Sequence, residues 1–368
     1  MPEKGAPLES SQELALRLDY DGRRSSLAAL AGSVERACDS TLSLNKVPFH
    51  SVKSRVKSMR SLLEKIVRKG YEPSLQELDD LVGVRVICLY PKHIDPVLQL
   101  LRTEFNVLDL VDKRPSTDSR QFGYSSVHLI CNVEGTPRSK LPEYAGMETQ
   151  HFEIQVRTIV QEAWAEIEHQ LIYKSAVAAP EEIKRPLVRV GAMLELADKE
   201  FQEVYDKRQL YIQRLMQTDM SRLREEPLNP DSLLEVLRRK FGWADGWEEL
   251  AGGETARHLS ELLSEVNELG LTTVQQILPI IDKWQGDAYR ESERAYMLAA
   301  GELPAATKED QKYTFDALSG LDWHQKTKQY FFPIGHMRLI LKREFPHYDQ
   351  LASRQKLLRR GVRKKDRG

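Results

Sequence analysis

Residues 151–158 read His-Phe-Glu-Ile-Gln-Val-Arg-Thr and run straight into Ile159-Val160-Gln161-Glu162-Ala163-Trp164. In an extended chain successive side chains face opposite ways, so Glu153, Gln155 and Arg157 share one face and Phe152, Ile154 and Val156 the other. A helix over 159–174 follows this strand without a break. The polar row has two readings. It is either the solvent side of an antiparallel sheet or the floor of a polar active site, with Glu153 as a metal carboxylate or a general base. Outward from here, 81–89 and 126–133 are rich in β-branched residues and read as strands, with a helix at 94–103 between them. Strands and helices mixed in this order predict an α+β or α/β domain with a mixed sheet.

Upstream, apolar residues recur at helical intervals over 13–44, with a break near Tyr20-Asp21-Gly22, and the first ~15 residues read as frayed. A second helix is expected over 52–69, striped by Val56, Met59, Leu63 and Ile66 and stopped by Gly70. Beyond Pro180 the pattern is helical: one or two long helices over 181–223, a Pro-containing linker at 225–230, and a capping box at Ser232-Leu-Leu-Glu235. The helical module expected over 231–350 holds Trp243, Trp247, Trp284 and Trp323, bulk enough for its own core. Residues 354–368 carry eight Lys/Arg and one Asp. The expected organisation is an N-terminal helical segment (1–45), a mixed domain with trailing helices (46–225), the helical module (231–350) and a basic tail (351–368).

The chain has 368 residues, longer than one average domain. Its 54 Lys+Arg against 55 Asp+Glu exclude a protein basic throughout while leaving local patches open. No segment approaches the ~20 apolar residues of a membrane span, so no membrane association is expected. Met1-Pro2-Glu3-Lys4 lacks the basic and apolar start of a signal peptide. Cys38, Cys88 and Cys131, odd in number and without CxxC pairing, point to a reduced, cytoplasmic protein. All three lie upstream of the helical module, which rules out a Cys-based zinc finger there, and its histidines (His258, His324, His336, His347) are too scattered for a metal site.

Several segments carry candidate chemistry. Lys57, Ser61, Lys65 and Arg68 follow helical spacing, with Lys53 and Arg55 before them; the ridge suits a triphosphate or is a solvated basic face. Glu77-Leu78-Asp79-Asp80 stands immediately before the strand that carries Arg85, where a carboxylate holds Mg²⁺ together with phosphate oxygens or caps a turn. Gly123-Tyr124-Ser125-Ser126-Val127-His128 offers an aromatic face for a nucleobase and an imidazole for phosphate, or a turn tyrosine and a satisfied strand histidine. Trp164 reads as core.

Taken in order, these segments resemble the synthetase domain of the RelA/SpoT family, over about residues 45–180. The matching pieces are Ser54-Arg55-Val56-Lys57-Ser58 with Lys65 and Arg68, then Glu77 through Arg85, Gly123-Tyr124 with His128, and Glu153 through Glu168-His169. The resemblance implies a nucleotidyltransferase-like mixed β-sheet flanked by helices. It also implies transfer of the β,γ-pyrophosphate of ATP to the 3′-hydroxyl of GDP or GTP, giving (p)ppGpp and AMP. By resemblance Arg55 and Arg85 would sandwich the adenine, while Lys57, Lys65 and Arg68 would hold its phosphates. Asp80 and Glu153 would bind Mg²⁺, with Glu153 also the possible base. Tyr124 would stack on the acceptor base, and His128, Gln155 and Arg157 would line the site. Glu162 stands where many small synthetases carry an asparagine that reads guanine, and its carboxylate can accept hydrogen bonds from that base.

Ser125 replaces the family's usual arginine after the tyrosine, although Arg120 keeps the basic residue before the glycine. That change and the basic tail motivate a second reading, in which the acceptor is the tRNA 3′ end or an adenosine nucleotide. A third reading is a degenerate nucleotide-binding regulator. No His-Asp pair occurs in the chain, so the family's hydrolase domain is expected to be absent. The helical module is left as a cap, an oligomerisation element or a sensor of a protein partner.

Overall fold

The computed structural model describes residues 10–69, 71, 75, 78–114, 126–172, 181–242, 253–299 and 333–352. Two compact units divide the chain, Met1–Asp206 and Lys207–Gly368.

In the first unit the element order is α1 (Ser10–Leu44), β1 (Ser51–Val56), α2 (Met59–Lys69), β2 (Val82–Cys88), α3 (Ile94–Glu104), β3 (Asn106–Asp112), β4 (Val127–Asn132), β5 (Phe152–Thr158) and α4 (Ile159–Ile172), followed by the first part of α5 (Glu181–Gln217). The five strands form one sheet in the order β1-β2-β5-β4-β3. β2 and β5 are parallel neighbours at its centre, and every other pairing is antiparallel. The sheet is mixed and helices flank it, as the alternation of segments implied.

Facing residues on paired strands point to the same side. Val84, Val86, Leu129, Ile154 and Val156 point to one side and are fully buried with Leu27, Leu30 and Val34 of α1 and Val97 and Leu101 of α3. The other side carries the charged residues. Burying the first face supplies the hydrophobic stabilisation that fixes the register, and so fixes what the second face presents.

Two expectations about the N-terminal half are corrected. Residues 51–56 are a strand, and α2 begins only at Met59. The segment alternates Ser51, Lys53 and Arg55 with Val52, Ser54 and Val56, and antiparallel pairing with β2 takes up the backbone groups that face that strand. Ser54 is further held by α1, donating its N–H to Glu35 Oε2 at 2.8 Å as well as its hydroxyl. α1 also runs without a break through Tyr20-Asp21-Gly22, and helix is present from Ser10 onward. A helical glycine costs about 1 kcal/mol, but Tyr20 is buried beside it and donates its hydroxyl to the Lys57 carbonyl at 2.8 Å. Strand β3 escaped the sequence reading because it is a half-exposed edge strand, with Leu108 and Val111 both solvent-facing.

The second unit is helical among its described residues: the end of α5, then α6 (Met220–Leu223), α7 (Pro230–Lys240), α8 (Gly253–Glu268), α9 (Val274–Ala299) and α10 (Pro333–Glu344). Leu233, Val236, Phe241, Leu262, Ile277 and Ile340 belong to its own apolar core. Buried Glu265 ties α8 to α10, accepting from Arg338 Nε at 3.0 Å and NH2 at 2.9 Å and from the Tyr348 hydroxyl.

The expected 225–230 linker is hydrogen-bonded into this unit: Leu228 donates to the Thr272 carbonyl at 2.9 Å, and Val274 donates to that of Glu226 at 3.2 Å. The division between units lies upstream, inside α5. The cap of α7 is Asn229, with Ser232 as the reciprocating third residue and not the cap itself. Trp284 is partly buried in the core, while Trp243, Trp247 and Trp323 lie outside the described residues, as do residues 353–368 of the basic tail.

Phe152 is fully buried and meets the Phe105 ring edge-on at 5.3 Å. Phe152→Ala is expected to cost about 3–5 kcal/mol, and Leu108→Ala on the exposed edge within about 0.5 kcal/mol. Urea denaturation of the two variants checks the contrast.

Candidate active site

Strand register assembles the polar face. Arg55 pairs with Gly83 and Lys53 with Arg85. Gly83 pairs with Glu153 and Arg85 with Gln155. His128 pairs with Gln155. Four adjacent strands therefore place Lys53, Arg55, Arg85, His128, Glu153 and Gln155 on one side, with Arg157 two residues further along β5. The Arg55 side chain lies over Gly83, where an added Cβ would meet its Cγ at 4.0 Å, an ordinary van der Waals contact.

A chain of hydrogen bonds joins this floor. Ser126 Oγ lies 2.6 Å from His128 Nε2, and His128 Nδ1 lies 2.7 Å from Glu153 Oε1. Gln155 Nε2 donates to Glu153 Oε2 at 2.7 Å, and Arg157 donates to Gln155 Oε1. Glu162, in the first turn of α4, closes the chain with ion pairs to Arg85 at 2.8 Å and Arg157 at 3.3 Å. Burial alone would raise the Glu153 pKa. The hydrogen bond and charge of His128, with the Gln155 amide, outweigh that and hold its carboxyl below the usual range. Burial lowers the guanidinium pKa of Arg157, which Glu162 opposes and Arg85 and Arg55 reinforce.

A second cluster lies beside the first. Asp80, in the turn before β2, accepts a hydrogen bond from Lys57 and forms an ion pair with Lys65 at 2.9 Å. Burial opposes ionisation of Asp80, but the two ammonium groups outweigh it and hold the carboxyl below the usual aspartate range. Lys57 is pushed down by burial and supported by Asp80. Asp80 also acts electrostatically on Glu153, so the two clusters share one field. Asp79 turns away and pairs with His151 at 2.7 Å.

Lys57 thus reaches the site from the end of β1 and Lys65 from α2, not from one helix face as the spacing predicted. Arg68 is exposed on the last turn of α2, one turn beyond Lys65. Glu77, Arg120, Tyr124 and Ser125 lie outside the described residues. Trp164 is buried, as expected of a core residue. Sequence reasoning did not pair Ser126 with His128, although their i, i+2 spacing on a strand was the available signal. It also did not link Glu162 to Arg85, 77 residues away.

No group of three or more His, Cys, Asp or Glu side chains able to hold a metal occurs among the described residues. Two carboxylates held ionised beside two ammonium groups fit instead an Mg²⁺ that arrives with phosphate oxygens, since that ion commonly takes one or two carboxylates plus substrate phosphates. The three cysteines are free and buried, and burial raises each thiol pKa, to about 12 for Cys88 and Cys131. No helix among the described residues is long and apolar enough to cross a membrane.

Comparison with known proteins places residues 54–178 in a region found in RelA / SpoT proteins. The GTP pyrophosphokinase YjbM of Bacillus subtilis (strain 168) is 32% identical over 160 residues, 43% of this chain and 72% of that protein. GTP pyrophosphokinase YwaC of the same organism is 30% identical over 156 residues, 41% of this chain and 71% of that one. Among solved structures, small alarmone synthetase 1 from Bacillus subtilis aligns with 52% of this chain and 98% of its own at 27% identity, with a TM-score of 0.44.

The Asp80 cluster sets a pH dependence of stability. A carboxyl with a folded pKa below its unfolded one contributes stability above the unfolded value and loses it as pH falls through the folded value. Asp80→Asn is therefore expected to be less stable than the wild type by roughly 1–3 kcal/mol at neutral pH. The gap narrows as pH falls below the ordinary aspartate value of 3.8. Denaturant titrations at several pH values measure this, and a gap that widens on acidification contradicts it.

Proposed function

The chain belongs to the RelA/SpoT family of GTP pyrophosphokinases, and from that membership we propose that it transfers the β,γ-pyrophosphate of ATP to the 3′-hydroxyl of GDP or GTP. The products are AMP and (p)ppGpp. One observation carries this reading: a single polar floor across four strands joins three guanidiniums to an ionised glutamate, with an aspartate and two lysines alongside.

Such a transfer has little covalent work for the protein to do. Positioning and charge neutralisation supply most of the barrier reduction. In the proposed arrangement the planar guanidiniums of Arg55 and Arg85 hold the adenine by stacking. Lys57, Lys65 and Arg68 hold the triphosphate from the neighbouring side. Asp80 and Glu153 are the residues to hold Mg²⁺, which when bound neutralises phosphate charge and polarises the phosphoryl group under attack.

His128 and Gln155 fix Glu153 from both sides, one hydrogen bond to each oxygen. So held, its ionised carboxylate is placed to draw the proton from the acceptor hydroxyl. The acceptor oxygen bonds to the β-phosphorus as the bond between that phosphorus and the oxygen bridging to the α-phosphate breaks, and AMP leaves. Tyr124 is assigned to the acceptor base by family resemblance, with His128 and Arg157 at the acceptor side of the floor.

Incubation with ATP labelled in its γ-phosphate, and with GDP, GTP, an adenosine nucleotide or tRNA in turn, tests the proposal. Label is expected on the guanosine nucleotides with stoichiometric AMP, and Glu153→Gln is expected to lower the rate by roughly 10²-fold or more. Label confined to tRNA or to the adenosine nucleotide reassigns the acceptor, and label on none defeats the reading.

A further inference from the structure

We propose that Glu162 is a positioning residue of the donor site, fixing the Arg85 guanidinium and acting through it, and not a residue that reads the acceptor base. This rests on the donor-side role of Arg85 proposed above and deepens it.

Three facts about Glu162 carry the inference. Both carboxylate oxygens are engaged inside the protein. Oε1 accepts from Arg85 NH1 at 2.8 Å, while Oε2 is buried, without a hydrogen bond, and 3.3 Å from Arg157 NH1. Reading a guanine edge would need an oxygen within reach of the base, whereas Oε1 is held by Arg85 and Oε2 is buried beside Arg157.

The placement is also rigid. Thr158 and Gln161 form a reciprocal cap at the start of α4: Thr158 N–H donates to Gln161 Oε1 at 2.8 Å, and Gln161 N–H approaches Thr158 Oγ1 at 3.1 Å. The Thr158 hydroxyl in turn donates to buried Asp198 at 2.7 Å. Glu162 is the residue immediately after this cap, so its backbone is fixed on the scaffold.

Finally, its charge is needed. Arg85 and Arg55 both act electrostatically on Arg157, which is only 7% exposed. Glu162 is the one residue among those described that forms ion pairs with both Arg85 and Arg157. A guanidinium stacks usefully only when its plane is held, and a carboxylate accepting from its edge leaves its faces open. Removing Glu162 leaves Arg85 both unoriented and repelled by Arg157.

The test is a double-mutant cycle on the full chain, with Glu162→Ala, Arg85→Ala and the pair, reading affinity for a non-hydrolysable ATP analogue and, separately, for GDP. Glu162→Ala and Arg85→Ala are each expected to weaken analogue binding about tenfold, a loss of about 1.4 kcal/mol. The double variant is expected to bind no worse than Arg85→Ala, and GDP affinity is expected to stay within twofold, about 0.4 kcal/mol. Should Glu162→Ala fail to fold, the same cycle with Glu162→Gln, which keeps the acceptor and drops the charge, gives a smaller but equally non-additive loss. Additive losses, or weakened GDP binding with analogue binding intact, overturn this inference alone. A wild type that binds no ATP analogue overturns it together with the donor-site reading.

Discussion

Parallel pairing of β2 with β5, set between antiparallel β1 and β4, holds the site together. Val84 and Val86 pack beside Ile154 and Val156 in the apolar core, and this burial locks the register. With that register fixed, Gly83 stands beside Glu153 and Arg85 beside Gln155. A slip of one residue would turn the valines outward and the charges inward, at a cost far above any single polar contact. The charged floor is thus imposed by the hydrophobic face beneath it.

Charges this close together tolerate partial burial only when paired, since a lone ion loses more in leaving water than protein dipoles return. The floor meets this requirement by alternation: histidine, glutamate, glutamine, arginine, glutamate and arginine follow one another in an unbroken sequence of contacts. The lysine–aspartate–lysine cluster does the same alongside. Both carboxylates of the proposed metal site stay ionised because cations or hydrogen-bond donors surround them. Such preorganised charge is worth most where charge moves during reaction, because the protein need not reorganise at that moment. The same economy explains Glu162, which neutralises two guanidiniums in a position fixed by the cap of α4.

The second unit has its own core and its own buried ionic ties, with Glu265 between α8 and α10 and Glu235 with Arg238 and Arg239 on α7. Truncating one partner of such a tie leaves an uncompensated buried charge. These ties therefore restrict how the helices pack as well as holding them. The stretch 225–230 reads as a linker because prolines punctuate it. Hydrogen bonds from Leu228 and Val274 draw it into the unit instead, and a one-dimensional reading has no access to a partner more than forty residues away.

Most of the first unit was legible in the chain itself. The alternation of Glu153, Gln155 and Arg157 is a property of the extended backbone and needs no neighbours, so the polar face of β5 could be read directly. The ordered motifs from Ser54 to His169 likewise pointed to the family. Where local signals were weak, the reading failed. Residues 51–56 fit either a helix or a short strand until β2 offers them hydrogen bonds, and Gly22 looked like a break until the burial of Tyr20 held the helix through it. Pairings remained wholly hidden: Lys57 and Lys65 meeting on Asp80, His128 meeting Glu153, and Glu162 meeting Arg85 across 77 residues. Sequence determined which side chains share a face, because alternation and periodicity are local. Only the tertiary structure decided which charges touch, because burial of a distant apolar face sets the register that brings them together.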